Sequence, residues 1–283
     1  MSTAPEPLGP TRVRLNQGNS IPLLGLGVYQ SQPGAETQQA VTWALELGYR
    51  HIDTAALYEN EADVGAAIRA SGIPREELFV TTKLWQSEHG FEKSQKAAHA
   101  SLRRLGLEYV DLYLIHSPRA DSPDERRASW RGLEKLHKDG LCRAIGVSNY
   151  GIRHMEELTD AADIVPAVNQ VEFHPFVFDP ELVAYCDRRG IRIEAWAPLT
   201  RGRRFEDATV QAIATTHHRT PAQVLLRWGI EHGFVEIPKS VHRERIAENG
   251  AIFDFSLSED EVRTLDALSD GGRVSGWNPS TVP

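Results

Sequence analysis

A single (β/α)8 barrel of the α/β class is predicted by three features of the sequence. Eight short apolar runs recur along the chain, with helical patterns between them. Most of these runs are continuously apolar rather than alternating, as expected of a parallel sheet covered on both faces. The 283 residues carry no break in composition and no linker, a length that suits one barrel, residues 1–283, better than two complete domains.

The elements follow in order. Residues 11–21, with an Asn16-Gln17-Gly18-Asn19 turn, read as a hairpin plugging the barrel's N-terminal end. Strands are predicted at Pro22–Gly27, Tyr49–Thr54, Leu78–Leu84, Val110–His116, Ala144–Ser148, Val165–Phe173, Ile191–Trp196 and Gly233–Ile237. Ala40, Val41, Ala44 and Leu45 share one face of a helix that ends at Gly48, a left-handed cap. Ser122 with Pro123, Asp124 and Glu125 is a cap, a first-turn proline and two acids ahead of Leu133, Leu136 and His137. Ser258 with Glu261 opens an extra helix over residues 256–269. The Gly/Pro/Ser-rich tail, residues 270–283 with Trp277, is expected to be loop. A doubly wound sheet is the alternative, but Gly25-Leu26-Gly27-Val28-Tyr29-Gln30 puts Gln where the dinucleotide fingerprint needs its third glycine.

Composition narrows the function classes. A chain 41% hydrophobic and 25% charged is neither disordered nor low-complexity. Two cysteines, Cys142 and Cys186, make no disulfide framework and read as reduced core thiols. No apolar run approaches the ~18 residues of a membrane span. MSTAPEPLGP lacks the basic and apolar segments of a secretory signal, so the expected compartment is the cytoplasm. A net charge of −8 argues against nucleic-acid binding. A monomer is expected.

In such barrels the active site lies at the carboxyl ends of the strands. Those ends carry Asp53, Lys83, His116, Ser148-Asn149, Gln170, Trp196 and Lys239, with Tyr58 in the loop five residues after Asp53. A phenol has a pKa near 10, and a nearby ammonium such as Lys83 is expected to lower it. Asp53 would be the counter-ion of that lysine, and His116 would hydrogen-bond a substrate oxygen. The set fits proton donation to a carbonyl while hydride arrives at carbon. Singly, each residue has a plain structural reading: a mouth ion pair, a packed tyrosine, a satisfied core histidine. A second cluster, residues 237–249, concentrates Lys239, Ser240, Arg243 and Arg245 at the last strand's end and the next helix's start. It reads as a phosphate monoester site, or alternatively as a solvated helix face.

The stretch His51-Ile52-Asp53-Thr54-Ala55-Ala56-Leu57-Tyr58-Glu59-Asn60-Glu61 resembles the first signature of the aldo-keto reductases. Four more stretches match in order: Thr82–Trp85, Gly146–Asn149, Asn169–Pro175 and Pro238–Asn249. The short connecting loops resemble the compact bacterial 2,5-diketo-gluconate reductase-like branch. The resemblance implies Tyr58 as general acid, Lys83 and Asp53 as its tuning pair, and His116 as the carbonyl-orienting group. It implies NADPH as cofactor. Ser148, Asn149 and Gln170 would hold the nicotinamide carboxamide, and Trp196 would stack on the ring. Gly27, Val28, Pro198, Leu199 and Val241 would lie along the cofactor. Lys239, Ser240 and Arg245 would take its 2′-phosphate, with Glu248 and Asn249 at the adenine. The implied substrate is a small carbonyl compound: an aldehyde, α-dicarbonyl or keto-sugar. Its slot would be lined by Tyr29, Trp85, His116 and Trp277; Trp130 could join them, but its helix-start position favours core or surface packing.

Three departures stand out. Ser117 replaces the aromatic residue that many relatives place after the catalytic histidine. Trp196 stands where Tyr is common. The loop after it carries Arg201, Arg203 and Arg204, expected either to clamp a cofactor phosphate or to move freely in solvent. Other classes compete. A class I aldolase would use Lys83 as its Schiff-base amine. A metal-dependent hydrolase is disfavoured, since 11 histidines include no HxH or HExxH pair. A non-enzymatic reading is an NADPH-binding redox sensor.

Overall fold

The structure is a computed structural model that describes Leu8, residues 12–160 and residues 162–283. Thr11 and all of the first ten residues except Leu8, on which the reading of the amino-terminal segment rests, lie outside the described residues.

The hairpin pairs β1 (Arg12–Arg14) antiparallel with β2 (Ser20–Pro22). Its turn places Gly18 at φ 102°, where a side chain would be strained. Beside it, the Gln17 side chain docks like a missing strand. Its Nε2 donates to Ile145 O and Val165 O at 3.1 and 2.8 Å, and its Oε1 accepts from Ile145 N at 2.9 Å. Asn16 Nδ2 adds a bond to Pro166 O.

After the hairpin, strand and helix alternate. The chain runs β3 (Leu26–Gly27), α1 (Ala35–Glu46), β4 (His51–Asp53), α2 (Glu61–Ser71), β5 (Phe79–Leu84) and α3 (Phe91–Leu105). It continues β6 (Leu112–Ile115), α4 (Pro123–Lys138), β7 (Ile145–Ser148), α5 (Ile152–Thr159), β8 (Val168–Glu172) and α6 (Pro180–Arg188). It ends β9 (Arg192–Trp196), α7 (Ala208–His217), α8 (Pro221–Glu231), β10 (Val235–Glu236), α9 (Arg243–Gly250) and α10 (Glu259–Asp266). Strands β3 to β10 form one parallel sheet in sequence order. Its two ends are joined: Gly25 N donates to Glu236 O at 2.8 Å, Glu236 N to Leu23 O at 2.7 Å and Gly27 N to Pro238 O at 3.1 Å. These bonds complete the barrel.

The local signals behave as their chemistry dictates. Ser122 Oγ accepts from Glu125 N with Pro123 in the first turn of α4. Ser258 and Glu261 form the reciprocal capping pair of α10. Gly48, at φ 93°, follows α1 and lets Tyr49 N reach Ala44 O. The predicted strand Pro22–Gly27 is divided, because Pro22 closes the hairpin and the chain then turns into the barrel at β3. The predicted loop tail contains a 3-10 turn at Pro279–Thr281.

Apolar side chains inside the barrel's lower half, among them Phe79, Leu112, Leu114 and Val235, pack with Leu15 and Ile21 of the hairpin and with Leu23. The larger core lies between strands and helices. No helix among the described residues is long and apolar enough to cross a membrane.

Candidate active site

The upper half of the barrel is polar, because nearly every strand end or following loop there contributes a polar or aromatic side chain. Lys83, from β5, is fully buried. Its ammonium donates to Asp53 Oδ1 at 2.6 Å, to Thr54 O at 2.9 Å and to Tyr58 Oη at 3.3 Å, so its three hydrogens are all directed. Tyr58 is held over this ammonium by the loop after β4. Asn60 is buried in that loop, accepting from Thr54 Oγ1 at 2.8 Å and donating to Val28 O at 3.0 Å. The Tyr58 ring meets the His116 ring edge-on at 5.6 Å, Trp85 flanks His116 at 5.2 Å and Tyr29 lies 5.0 Å from Tyr58.

Electrostatics follow from burial. Burial pushes the Tyr58 phenol up to about 12, against the opposing pull of Lys83. The expectation that the lysine lowers this pKa below that of a free phenol is therefore corrected: the ammonium reduces a larger rise caused by burial. Burial works to lower the Lys83 pKa, but Asp53, Tyr58 and Glu194 outweigh it and keep the ammonium charged. Burial, reinforced by Lys83, holds His116 well below its ordinary value, so the imidazole is neutral.

Beneath this set lies a layer that the sequence did not reveal. Gln170 Nε2 donates to Asp53 Oδ2 at 2.8 Å and to Glu194 Oε2 at 2.9 Å. Both amide hydrogens are thereby engaged, which turns the amide oxygen away from the two carboxyls. Burial, with repulsion from Asp53, raises the Glu194 carboxyl to about 8. His51, 3.5 Å from Glu194, is driven down to about 3 by burial and by Lys83.

Asn149, in left-handed conformation at φ 65°, ties three strand ends together. Its Nδ2 donates to His116 O and Ser148 Oγ at 3.0 and 2.9 Å, and its Oδ1 accepts from Trp196 Nε1 at 3.0 Å. Trp196 is thus fixed by its indole N–H. Above these groups opens a cavity of about 1120 Å³. It extends from Tyr58 and His116 past Gln170 and Trp196 to Lys239 and Arg245. The catalytic, cofactor and substrate residues expected from the sequence line it except Val28 and Lys83, and of the weaker candidates Trp130, Arg203 and Arg204 do not. Lys83 sits behind Tyr58. Val28 is corrected: its side chain faces the outer core, and its backbone bonds Asp53 O and Asn60. Trp130 packs in the core, as its helix-start position favours: it is 1% exposed in α4 and donates to Ile164 O.

The cavity's far end suits an anion. No side chain caps the N-terminus of α9, so its first amides remain open. Lys239 and Arg245 have no ion-pair partner among the described residues, whereas Arg243 lies 3.8 Å from Glu46. Glu248 accepts from Thr220 at 2.6 Å. Of the arginine loop, Arg203 donates to Val274 O at 3.3 Å and Arg204 pairs with Asp270 at 2.6 Å. Those two bind the tail, and Arg201 alone lines the cavity. Ala197, Thr200 and Arg201 in this segment all have φ between 52° and 53°, strained for side chains of any size and typical of functional loops. The tail is fixed by Glu172, which accepts from Val274 N at 2.6 Å and Ser275 Oγ at 2.5 Å, and Trp277 reaches the rim. No group of three metal-ligating side chains occurs among the described residues.

A closed parallel barrel with a proton-holding Tyr–Lys–Asp–His set at its carboxyl mouth defines a barrel enzyme. The model of the Aldo/keto reductase family matches residues 23–270, and the chain belongs to that family of oxidoreductases. It is 49% identical over 270 residues to the glyoxal reductase of Bacillus subtilis (strain 168), covering 95% of this chain and 96% of that protein. It is 47% identical to the 9,11-endoperoxide prostaglandin H2 reductase of Trypanosoma cruzi (strain CL Brener), covering 93% of each. Among solved structures it is similar to an aldo/keto reductase from Brucella melitensis, 44% identical with TM-score 0.88, covering 94% of this chain and 100% of that one. It is also similar to a Bombyx mori aldo-keto reductase in complex with NADP, 39% identical with TM-score 0.88, covering 96% and 95%.

Proposed function

We propose that the protein reduces aldehydes and ketones to alcohols with NADPH, and that Tyr58 is the proton donor. The observation that carries this reading is the Tyr58 hydroxyl, 3.3 Å from a buried ammonium and open to a cavity whose far end holds Lys239 and Arg245, without ion-pair partners among the described residues. The Bombyx mori neighbour, solved with NADP, supports a nicotinamide cofactor. The donor set fits that group: Lys239, Arg245 and the uncapped α9 would take its 2′-phosphate, and Arg201 and the strained loop would lie along the pyrophosphate. When bound, it supplies hydride to the carbonyl carbon.

The chain's own residues do the rest. A phenol pushed up to about 12 keeps its proton at neutral pH until a carbonyl oxygen gains charge beside it. As the proton leaves, the phenolate forms next to Lys83, where an ammonium stabilises it strongly in a dry site. Asp53 keeps that ammonium charged and placed. His116, neutral, orients the carbonyl oxygen. Gln170 offers its amide oxygen to the cofactor's carboxamide, and Asn149 and Ser148 frame that group. Trp196, locked by Asn149, presents a ring face for stacking. Tyr29, Trp85 and Trp277 make apolar walls that distinguish substrates by about 1–3 kcal/mol per group, which suits a broad range of small carbonyls. The short loops are consistent with the compact bacterial branch, and the barrel is proposed to act as one unit with its tail at the pocket.

Tyr58→Phe is expected to lower kcat by about 10²–10⁴ while leaving the NADPH dissociation constant close to that of the unchanged protein. Near-normal turnover in that variant would reject Tyr58 as donor. The aldolase reading loses its support, because Lys83 stays protonated and behind Tyr58. A redox sensor would show a single slow turnover where an enzyme shows many.

A further inference from the structure

The cavity divides by strand order into two arcs. Loops after β7, β8, β9 and β10 supply Arg201, Lys239 and Arg245, the cations assigned above to cofactor phosphates. Loops after β3, β4, β5 and β6 supply the aromatic wall with Tyr29, Tyr58 and Trp85. Within that second arc the lining groups of fixed charge are Asp53, neutralised by Lys83, and one arginine, Arg119. It stands three residues after His116, on the side where a carbonyl substrate would sit.

Its backbone segment is held by two hydrogen bonds, and its side chain is exposed at the cavity rim. Ser117 Oγ accepts from Arg119 N at 3.1 Å, and Pro118 O accepts from the buried Arg126 Nη1 at 3.0 Å. The small Ser117, where an aromatic residue is common, forms this turn and lines the cavity beside Arg119. The Arg119 guanidinium has no hydrogen-bond or ion-pair partner among the described residues, although the protein carries a net charge of −8. An unpaired guanidinium on the substrate side of a reductase cavity has five donors in a planar fork, suited to a carboxylate or a phosphate.

We propose that Arg119 is a specificity-determining residue that binds an anionic group on the substrate, so that the preferred substrates are carbonyl compounds carrying a carboxylate or a phosphate. This rests on the carbonyl reductase reading and narrows its substrate class.

Matched pairs of aldehydes test it with NADPH: 4-carboxybenzaldehyde against its neutral methyl ester, and glyceraldehyde 3-phosphate against glyceraldehyde. The unchanged protein should favour the anionic member of at least one pair in kcat/KM, mainly through KM, and added salt should narrow the preference. Which pair shows the larger ratio identifies carboxylate or phosphate as the recognised group. Arg119→Gln should reduce the anionic-to-neutral ratio about tenfold, and Arg119→Lys should retain part of it. Turnover of all four aldehydes with no anionic preference, or a ratio unmoved in Arg119→Gln, overturns the proposal and leaves the reductase reading intact. Absence of turnover with every aldehyde overturns both.

Discussion

Gln170 and Glu194 share a hydrogen bond of 2.9 Å, made by the same amide nitrogen that holds Asp53 Oδ2. A second buried carboxyl therefore stands one amide away from the ion pair beneath Tyr58. With a carboxyl raised to about 8, Glu194 keeps a proton in the folded protein through neutral pH. The unfolded chain loses that proton near pH 4.3. The group's stabilising contribution is then fully present below about pH 4.3 and is lost as pH climbs to about 8. Melting temperature should fall between pH 5 and pH 8.5, and Glu194→Gln should flatten part of that fall. An identical slope in the variant, measured by thermal unfolding, would show that Glu194 does not carry the effect.

Lys83 and Asp53 make a similar case for pairing. Lys83→Met strands a carboxylate in a buried site and should cost about 3–5 kcal/mol in urea unfolding. The double variant Lys83→Met with Asp53→Asn should recover much of that stability and none of the turnover. A double variant as unstable as the single one would argue against the pair as the source of the loss.

Arg245 is exposed and has no hydrogen-bond or ion-pair partner among the described residues, so its removal should leave the fold intact. Arg245→Ala should weaken NADPH about tenfold or more, as loss of a charge-assisted contact does, with little change for NADH. Titration calorimetry with both cofactors checks this. Equal losses would place the 2′-phosphate elsewhere.

Glu236 is buried with neither carboxyl oxygen hydrogen-bonded among the described residues, and burial holds its pKa well above the ordinary carboxylate range. A Cβ on Gly229 of α8 would fall 1.6 Å from its Oε1. Gly229→Ala should therefore destabilise by about 1–3 kcal/mol. Shortening the neighbour in Gly229→Ala with Glu236→Ala should relieve most of that loss, a coupling that a double-mutant cycle measures directly. Simple additivity would show that the close approach carries no strain.

What the sequence made legible followed from local rules. Continuously apolar runs gave the strands, Ser122 and Ser258 gave helix starts, and the strand ends gave Asp53, Lys83, His116 and Gln170. The rest depends on distance in the chain. Glu194 sits within the apolar run Ile191–Trp196, and its partners Gln170 and His51 lie far away in sequence. Val28 continues a motif, but the strand's alternation turns its side chain outward. The sign of the Tyr58 shift required knowing that burial exceeds the pull of Lys83. Arg203 and Arg204 read as a phosphate clamp or a solvated loop, because their tail partners Val274 and Asp270 lie 71 and 66 residues on in sequence.

The Gln17 clasp has a consequence for traffic. With the hairpin and its hydrocarbon stopper sealing the lower opening, the barrel is a blind well, entered and left from above. Among the described residues the large cavity lies wholly on the carboxyl side, so anything that enters the barrel shares that one mouth.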